Sequence, residues 1–585
     1  MLGAIFAAGA HAEQVAANSP KPNVLFIAID DINPILGCMG NSIIRTPNMD
    51  RLAQRGVLFE NAHCQWAVCG PSRASLMTGL MPEQTGVMGF KKMRGMSADG
   101  ARDNPLGVTN VITIAQHFRA NGYNTAAVGK INDPRCVGSV NADGTVNEDG
   151  RTVDDPPSWS EPFRHPSGTG STRAYCPERG KNLTLASECK DLPAGGFTDG
   201  KIATVGIDLL RVLAASNRPF FLGVGFKKPH LPFLCPKSYW DLYADTDFQT
   251  NAFPFAMRNA TAYTFNNVHE LRNTYYLDVD TNGNAVALSN DVLCAARQVR
   301  LLHGYYACIS FVDAQVGRVL DELDALGLAS NTIVVLWGDH GFHLGDHNEW
   351  GKHTTLEQAT HMPLIIRAPG YAQNEKTSAP VGLIDLFPTL CELADLPEPI
   401  QPPIAGGTQN RPLEGESLVP ILTDPAARVQ TGIMNHYGSG TYGYAFRTER
   451  YRFTQWVNAA GDVVARELYD YLEDPMETVN LAVYPEYDAL IYQFAVAARQ
   501  EADGCERLRS GPAPALPPDR SVAGLRLSGG TNLYWPSVIG QTYDLTCKTN
   551  LFDSVWLTNR NGLSECPVEI PHDEARQYFR IEINP

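Results

Sequence analysis

The chain has 585 residues, 44% of them hydrophobic and 19% charged, enough for a large core and several domains. Its 63 acidic residues against 47 basic ones give a formal charge of −16, which argues against general nucleic-acid binding. No apolar run is long enough to span a bilayer, and any attraction for an anionic ligand must come from a local cluster of Lys, Arg, His or metal.

The start, MLGAIFAAGAHAEQ, is a short apolar run ending in Ala10-His11-Ala12, and reads as a secretory signal cleaved after Ala12 without the usual positive leader. It predicts a leader over residues 1–19 and a secreted or periplasmic protein. In an exported chain with thirteen cysteines, Cys176 with Cys189 is the first candidate disulfide and Cys547 with Cys566 the second.

NVLFIAIDD (23–31) is a continuous apolar run ending in two carboxylates, the pattern of a buried parallel strand. VCGPSRASLMTG (68–79) puts Cys69 at a helix start, where Pro71 suits the first turn and free amides favour negative charge. VITIAQHFRANG (111–122) predicts a helix, followed by the strand YNTAAVG ending at Lys130. Residues 131–200 lack periodicity and read as an insertion over a site. PFFLGVGF (219–226) is a strand running into KKPHLPF, a long helix covers about 300–326, NTIVVLWGDH (331–340) repeats the first theme, and PLIIRA (363–368) is a further strand. Alternating strands and helices predict an α/β fold with a mostly parallel sheet covered on both faces.

From about 430 the pattern changes. AFRTERYRFTQW alternates like an antiparallel strand, and ELYDYLEDPMETVNLA reads as a strand, a turn and a helix start. The expected organisation is a main domain over 20–430, an α+β subdomain with an antiparallel sheet over 431–510, a Pro-rich linker over 511–520 and a small β-sandwich-like module over 521–585.

In open sheets ligands gather beyond the carboxyl ends of the strands, and Asp30, Asp31, Lys130, His230, Asp339 and His340 all lie just past such ends. Either acidic pair alone fits a turn cap. Three carboxylates converging on one place repel unless a cation joins them, and so oxygen-rich a set favours Ca²⁺, or Mg²⁺, over Zn²⁺. Arg73, Lys130, Lys228, His230 and Lys352 supply the positive side. A divalent ion and several cations around one thiol form a cradle for a tetrahedral dianion, stabilising charge that develops on it.

Cys69-Gly70-Pro71-Ser72-Arg73 with Leu76, Thr78 and Gly79 resembles the signature of the type I, formylglycine-dependent sulfatases. PNVLFIAIDD, Gly129-Lys130, the KPH of Lys228 to His230, GDHG at Gly338 to Gly341 and LYDYLEDPMETVNL (468–481) resemble the same family, over roughly residues 20–500. Within it DDINPILGCMGN, FKKPHLPF, HLGDHNEWGKHT and ATHMPLI are most similar to the iduronate 2-sulfatase branch, as is the Cys176 to Cys189 spacing. The tail after 510 lies outside the resemblance and looks like modules of secreted bacterial polysaccharide enzymes.

The resemblance implies an alkaline-phosphatase-like sandwich and conversion of Cys69 by a maturation enzyme to Cα-formylglycine, hydrated to a gem-diol. It implies Asp30, Asp31, Asp339 and His340 as metal ligands, with residue 69 completing the set. Arg73 would stabilise the diol, Lys130, His230 and Lys352 would hold sulfate oxygens, and His230 or Lys352 would protonate the leaving alcohol. Relatives carry a His two or three residues after the GK lysine; here Asn132 and Asp133 stand there. Asp133, His165 and His343 are the candidates for its role, and slow turnover is the remaining outcome. Phe342, His343, Lys228 and Asp133 are expected to contact substrate, a sulfated oligosaccharide or chain end of a sulfated polysaccharide. The alternatives are a phosphomonoester or phosphonate hydrolase on the same fold, and a non-catalytic sulfated-glycan-binding protein.

Overall fold

A computed structural model describes residues 21–500 apart from 95–103, 105–109, 138–153, 266–269 and 404–406, together with the backbone of short strands between 526 and 583. Strand β1 (Asn23–Asp30) is buried along its whole length. Leu25, Ile27 and Ile29 enter one core and Val24, Phe26 and Ala28 the other, the period-two split of a strand covered on both faces.

β1 lies inside a seven-stranded sheet with β2 (Val57–Phe59), β3 (Asn124–Gly129), β4 (Phe220–Pro229), β5 (Thr332–Gly338), β6 (Leu364–Arg367) and β7 (Glu375–Thr377), in the order β7-β2-β6-β5-β1-β4-β3. β1 runs parallel to β5 and β4, and β3 runs parallel to β4. Only β6 opposes its neighbours, so the sheet is mostly parallel. One face is covered by α3 (Thr198–Ala214) and α4 (Ala295–Ala325), the other by α1 (Cys69–Thr78), α2 (Ile114–Ala120) and α5 (Leu386–Leu393). The α/β sandwich expected from the alternating pattern is the observed architecture.

A second, antiparallel sheet follows as a meander of β8 (Ile433–Ser439), β9 (Thr441–Arg447), β10 (Tyr451–Val457) and β11 (Val463–Asp470). Helix α6 (Asp488–Gln500) packs Phe494 and Ala495 against its Tyr444, Phe446 and Phe453. AFRTERYRFTQW is two strands rather than one. Thr448 Oγ1 accepts the Tyr451 amide at 3.0 Å, and that local turn breaks the run. The helix start expected in VNLA is a single 3₁₀ turn, Leu481–Val483, capped by Asn480.

In the tail, strands 526–528, 532–534 and 568–569 form one antiparallel sheet and 543–548, 557–563 and 578–583 another. The proposed signal, the Pro-rich linker and the Cys547 and Cys566 side chains lie outside the described residues. Among the described residues no helix is long and apolar enough to cross a membrane.

The disulfide expected between Cys176 and Cys189 is not formed; both are free. Cys176 is buried with Leu183 and Tyr276, its Sγ 3.2 Å from Glu178 Oε2. Cys189 instead stands opposite Cys235 in a parallel pair and packs on the core under α4. The two thiols belong to separate clusters.

Candidate active site

Two adjacent strand ends build the acidic half of the site. Past Asp30 the chain turns through the left-handed region at Asp31 (φ 58°), and the Asp31 amide donates to Asp339 Oδ1 across the β1–β5 pair at 3.0 Å. Asp30, Asp31, Asp339 and His340 are all buried. His340 Nδ1 faces the Gly341 carbonyl at 2.9 Å, which puts the ring proton on that side and leaves Nε2 turned inward. Nε2 is 3.3 Å from Cys69 Sγ and 3.4 Å from Asp31 Oδ1.

Cys69 opens α1, whose ten residues are all buried, and which ends at Gly79 in the left-handed conformation. Ser72 Oγ donates to the Asp339 carbonyl at 2.5 Å, docking the first turn on the end of β5. Arg73, one turn after Cys69, donates through Nε to Asp339 Oδ2 at 2.8 Å and through Nη2 to Asp30 Oδ1 at 3.2 Å. Its Nη1 donates to the carbonyls of Lys130 and Ile131. One guanidinium thus ties together the ends of β1, β3 and β5.

Lys130 enters from β3, its Nζ 2.7 Å from each oxygen of Asp30. Lys352 Nζ is 2.6 Å from Asp31 Oδ2. Burial alone would raise both carboxyls. Lys130 and Arg73 outweigh it at Asp30, and His230, Lys352 and His340 at Asp31, so both lie well below the usual carboxylate range. Burial, reinforced by Asp30, pushes the Cys69 thiol well up. Before any cation is counted, position 69 is a protonated thiol and a poor nucleophile.

The ligand atoms of Asp30, Asp31, Cys69 and His230 lie within 4.8 Å of one another, as do those of Cys69, Asp339 and His340. Three of these six residues are carboxylates, the hard oxygen donors that a divalent cation of the Ca²⁺ or Mg²⁺ kind prefers.

His230 Nε2 is 3.9 Å from Asp31 Oδ2, so the residue after β4 reaches the cluster as its position at a strand end suggests. Lys228 does not. Its Nζ donates to the carbonyls of His230 and Pro232, both at 2.6 Å, and so braces its own loop. Phe342 and His343, expected beside a sugar, are fully buried. Phe342 packs on Tyr305 and Phe233 beneath Lys352, and His343 is held by Asp346 and Thr354.

Of the candidates for the family histidine, Asp133 is gripped by Arg135 at 2.6 and 2.8 Å, with its carboxyl down at about 2 against the opposing effect of burial. His165 faces Gly129 O and Lys227 Nζ, and burial with Lys227 lowers it to about 4. His343 is occupied as above. Asn132 turns to Asp154, which burial raises to about 7. None of these four side chains hydrogen-bonds to Cys69 among the described contacts.

Two residues near the site had no sequence signal. Glu270 opens the short helix Glu270–Thr274, with Oε2 3.1 Å from Lys352 Nζ and Oε1 3.6 Å from His230 Nε2. Arg135 stacks on Phe90 with its guanidinium carbon 3.4 Å from the ring centroid, and adds positive potential at Cys69. Both come from stretches without periodicity.

Comparison with known proteins gives the family. The sulfatase family matches residues 22–396, and the C-terminal family of N-sulphoglucosamine sulphohydrolase matches 345–502. Human iduronate 2-sulfatase is 31% identical over 532 residues, covering 80% of this chain and 92% of its own. A sulfatase of Formosa agariphila is also 31% identical, covering 80% of this chain and 85% of its own. Among solved structures, BT4656 in complex with its substrate D-glucosamine-2-N,6-O-disulfate superposes with a TM-score of 0.62 at 20% identity, over 84% of this chain and 99% of that one. The phosphonate monoester hydrolase of Agrobacterium radiobacter shares the fold at a TM-score of 0.60 and 22% identity, over 84% and 96%. Since the first family match spans more than half of the sequence, the chain belongs to the sulfatase family, hydrolases of sulfuric ester bonds.

Proposed function

We propose that this protein removes O-sulfate from sulfated carbohydrate, acting on oligosaccharides or chain ends, with Cys69 converted to Cα-formylglycine by a maturation enzyme. The reading is supported above all by the convergence of Asp30, Asp31, Asp339, His340 and three buried cations on the first turn of α1. A protonated, buried thiol in that position does little chemistry as it stands.

The hydrated aldehyde would supply a hydroxyl nucleophile for sulfur and a second hydroxyl whose loss of a proton would let sulfate leave and the aldehyde return. In this reading Lys130 and Lys352, paired with Asp30 and Asp31, would hold sulfate oxygens, and His230, whose side chain is more exposed than either, would protonate the leaving alcohol. Arg73 keeps the carboxylates in register. A divalent cation held by Asp30, Asp31, Asp339 and His340 would supply positive charge beside the attacking oxygen. The apolar start of the chain supports export, and the net acidic surface supports small substrates over polymer capture.

Two measurements test this. Maturation removes sulfur and two hydrogens and adds oxygen, so protein coexpressed with a maturase should be about 18 Da lighter at the Cys69 peptide. A panel of defined sulfated oligosaccharides, with Cys69→Ala as blank, should then show sulfate release. Unmodified thiol and no release would leave the sulfated-glycan-binding reading. Release from phosphate or phosphonate monoesters alone would make it the other hydrolase.

A further inference from the structure

The ring of Arg73, Lys130 and Lys352 suits a dianion, yet a sulfate ester carries one negative charge. The residue that changes this balance is Glu270. Its side chain is 17% exposed and in ion-pair distance of Lys352 at 3.1 Å and His230 at 3.6 Å. Its atoms are not among the two sets of converging ligand atoms. Apart from the proposed cation ligands Asp30, Asp31 and Asp339, the carboxylate of Asp133 near Lys130 is paired with Arg135. Glu270 is therefore a charged group that faces the two side chains expected to hold the ligand, and it weakens their grip on any anion.

We propose that Glu270 sets the charge selectivity of the pocket: it admits the monoanionic sulfate ester and disfavours dianions of the same shape. Those dianions are phosphate monoesters and the inorganic sulfate that the reaction itself releases. The inference rests on the sulfatase reading above. Its physical basis is that Coulomb energy scales with ligand charge, so a fixed carboxylate penalises a dianion twice as much as a monoanion. Near a partly buried site one further unit of ligand charge corresponds to about tenfold in affinity.

Methyl sulfate and inorganic sulfate share the tetrahedral group and differ by one charge, and both are fully ionised at neutral pH. Their binding to calcium-loaded, full-length Cys69→Ala protein can be compared by calorimetry, with and without Glu270→Gln. The expected result is that Glu270→Gln tightens sulfate about tenfold more than methyl sulfate, while Glu270→Asp, which keeps the charge, leaves the ratio near its starting value. In matured protein of native sequence at position 69, product inhibition by sulfate should strengthen about tenfold more than binding of the monoanionic substrate does in Glu270→Gln. An unchanged ratio, a parallel weakening of both anions, or identical behaviour of the Gln and Asp variants would overturn the proposal, leaving Glu270 as a support for Lys352. If the folded Cys69→Ala parent binds neither anion, the sulfate-site reading itself fails, and this inference with it.

Discussion

Lys130 Nζ contacts both oxygens of Asp30 at 2.7 Å, pairing the end of β3 with the end of β1 across the intervening strand β4. Both side chains are buried, so each is the other's main compensation for lost hydration. Replacing Lys130 by Met leaves Arg73 as the direct ion-pair partner of Asp30 among the described residues. In calcium-free protein the variant should be less stable by about 3 kcal/mol. Saturating calcium should recover most of that loss, because the cation takes over the neutralising role. Chemical denaturation with and without calcium measures both terms; a gap that calcium does not narrow would separate Asp30 from the cation site.

Arg73 reaches two carboxylates and two carbonyls from one planar group. Lys has a single ammonium and cannot span them. Arg73→Lys should lower kcat by about 10²- to 10³-fold and weaken calcium binding, with the maturation state of residue 69 checked by mass. A variant within a few-fold of the parent in kcat would show that the fork geometry is dispensable.

The strand ends were legible because a buried parallel strand has no reason to finish in charge unless something beyond the sheet uses it. NVLFIAIDD and IVVLWGDH carry that signal in a few residues, and the structure joins them through the Asp31 amide and Asp339. Phe342 misleads for a related reason. It follows Asp339 and His340 in sequence, but Asn33 exchanges hydrogen bonds with its backbone and turns the ring into the core beside Tyr305. Adjacency along the chain does not say which way a loop residue points. Glu270 and Arg135 left no trace at all, since their places depend on packing with Lys352, His230 and Phe90, each remote in sequence or outside any regular element. The thiol pair Cys176 and Cys189 fails likewise: their spacing along the chain carries no information about two separate clusters.

Gly129 precedes Lys130 with φ +85°, and a Cβ there would lie 2.0 Å from the Gly225 carbonyl oxygen of β4. The position combines a left-handed backbone with contact against a neighbouring strand that cannot retreat. Gly129→Ala should cost about 2–5 kcal/mol, from backbone strain and overpacking together. It should also disturb Lys130 and so reduce activity in the fraction that folds. An Ala variant of parental stability would mean that the end of β3 lies differently.

Asp154 is buried, accepts hydrogen bonds from Asn132 Nδ2 at 2.7 Å and Trp159 Nε1 at 3.2 Å, and has its carboxyl raised to about 7, by burial first and by Asp155 next. The folded protein therefore keeps a proton there that the unfolded chain has lost by about pH 4. Stability from this group is complete below that pH and is lost as pH rises towards about 7, because over that window only the folded state holds the proton. An asparagine side chain in its place would not titrate, and it retains an oxygen to accept from Asn132. The stability of Asp154→Asn relative to the parent should therefore climb between about pH 4 and pH 7, by at most about 1.4 kcal/mol per pH unit, and level off above. The difference between the two proteins cancels the other buried acids. Denaturation curves across that range decide it: a constant difference, or one that shrinks as pH rises, would mean that Asp154 is ionised throughout.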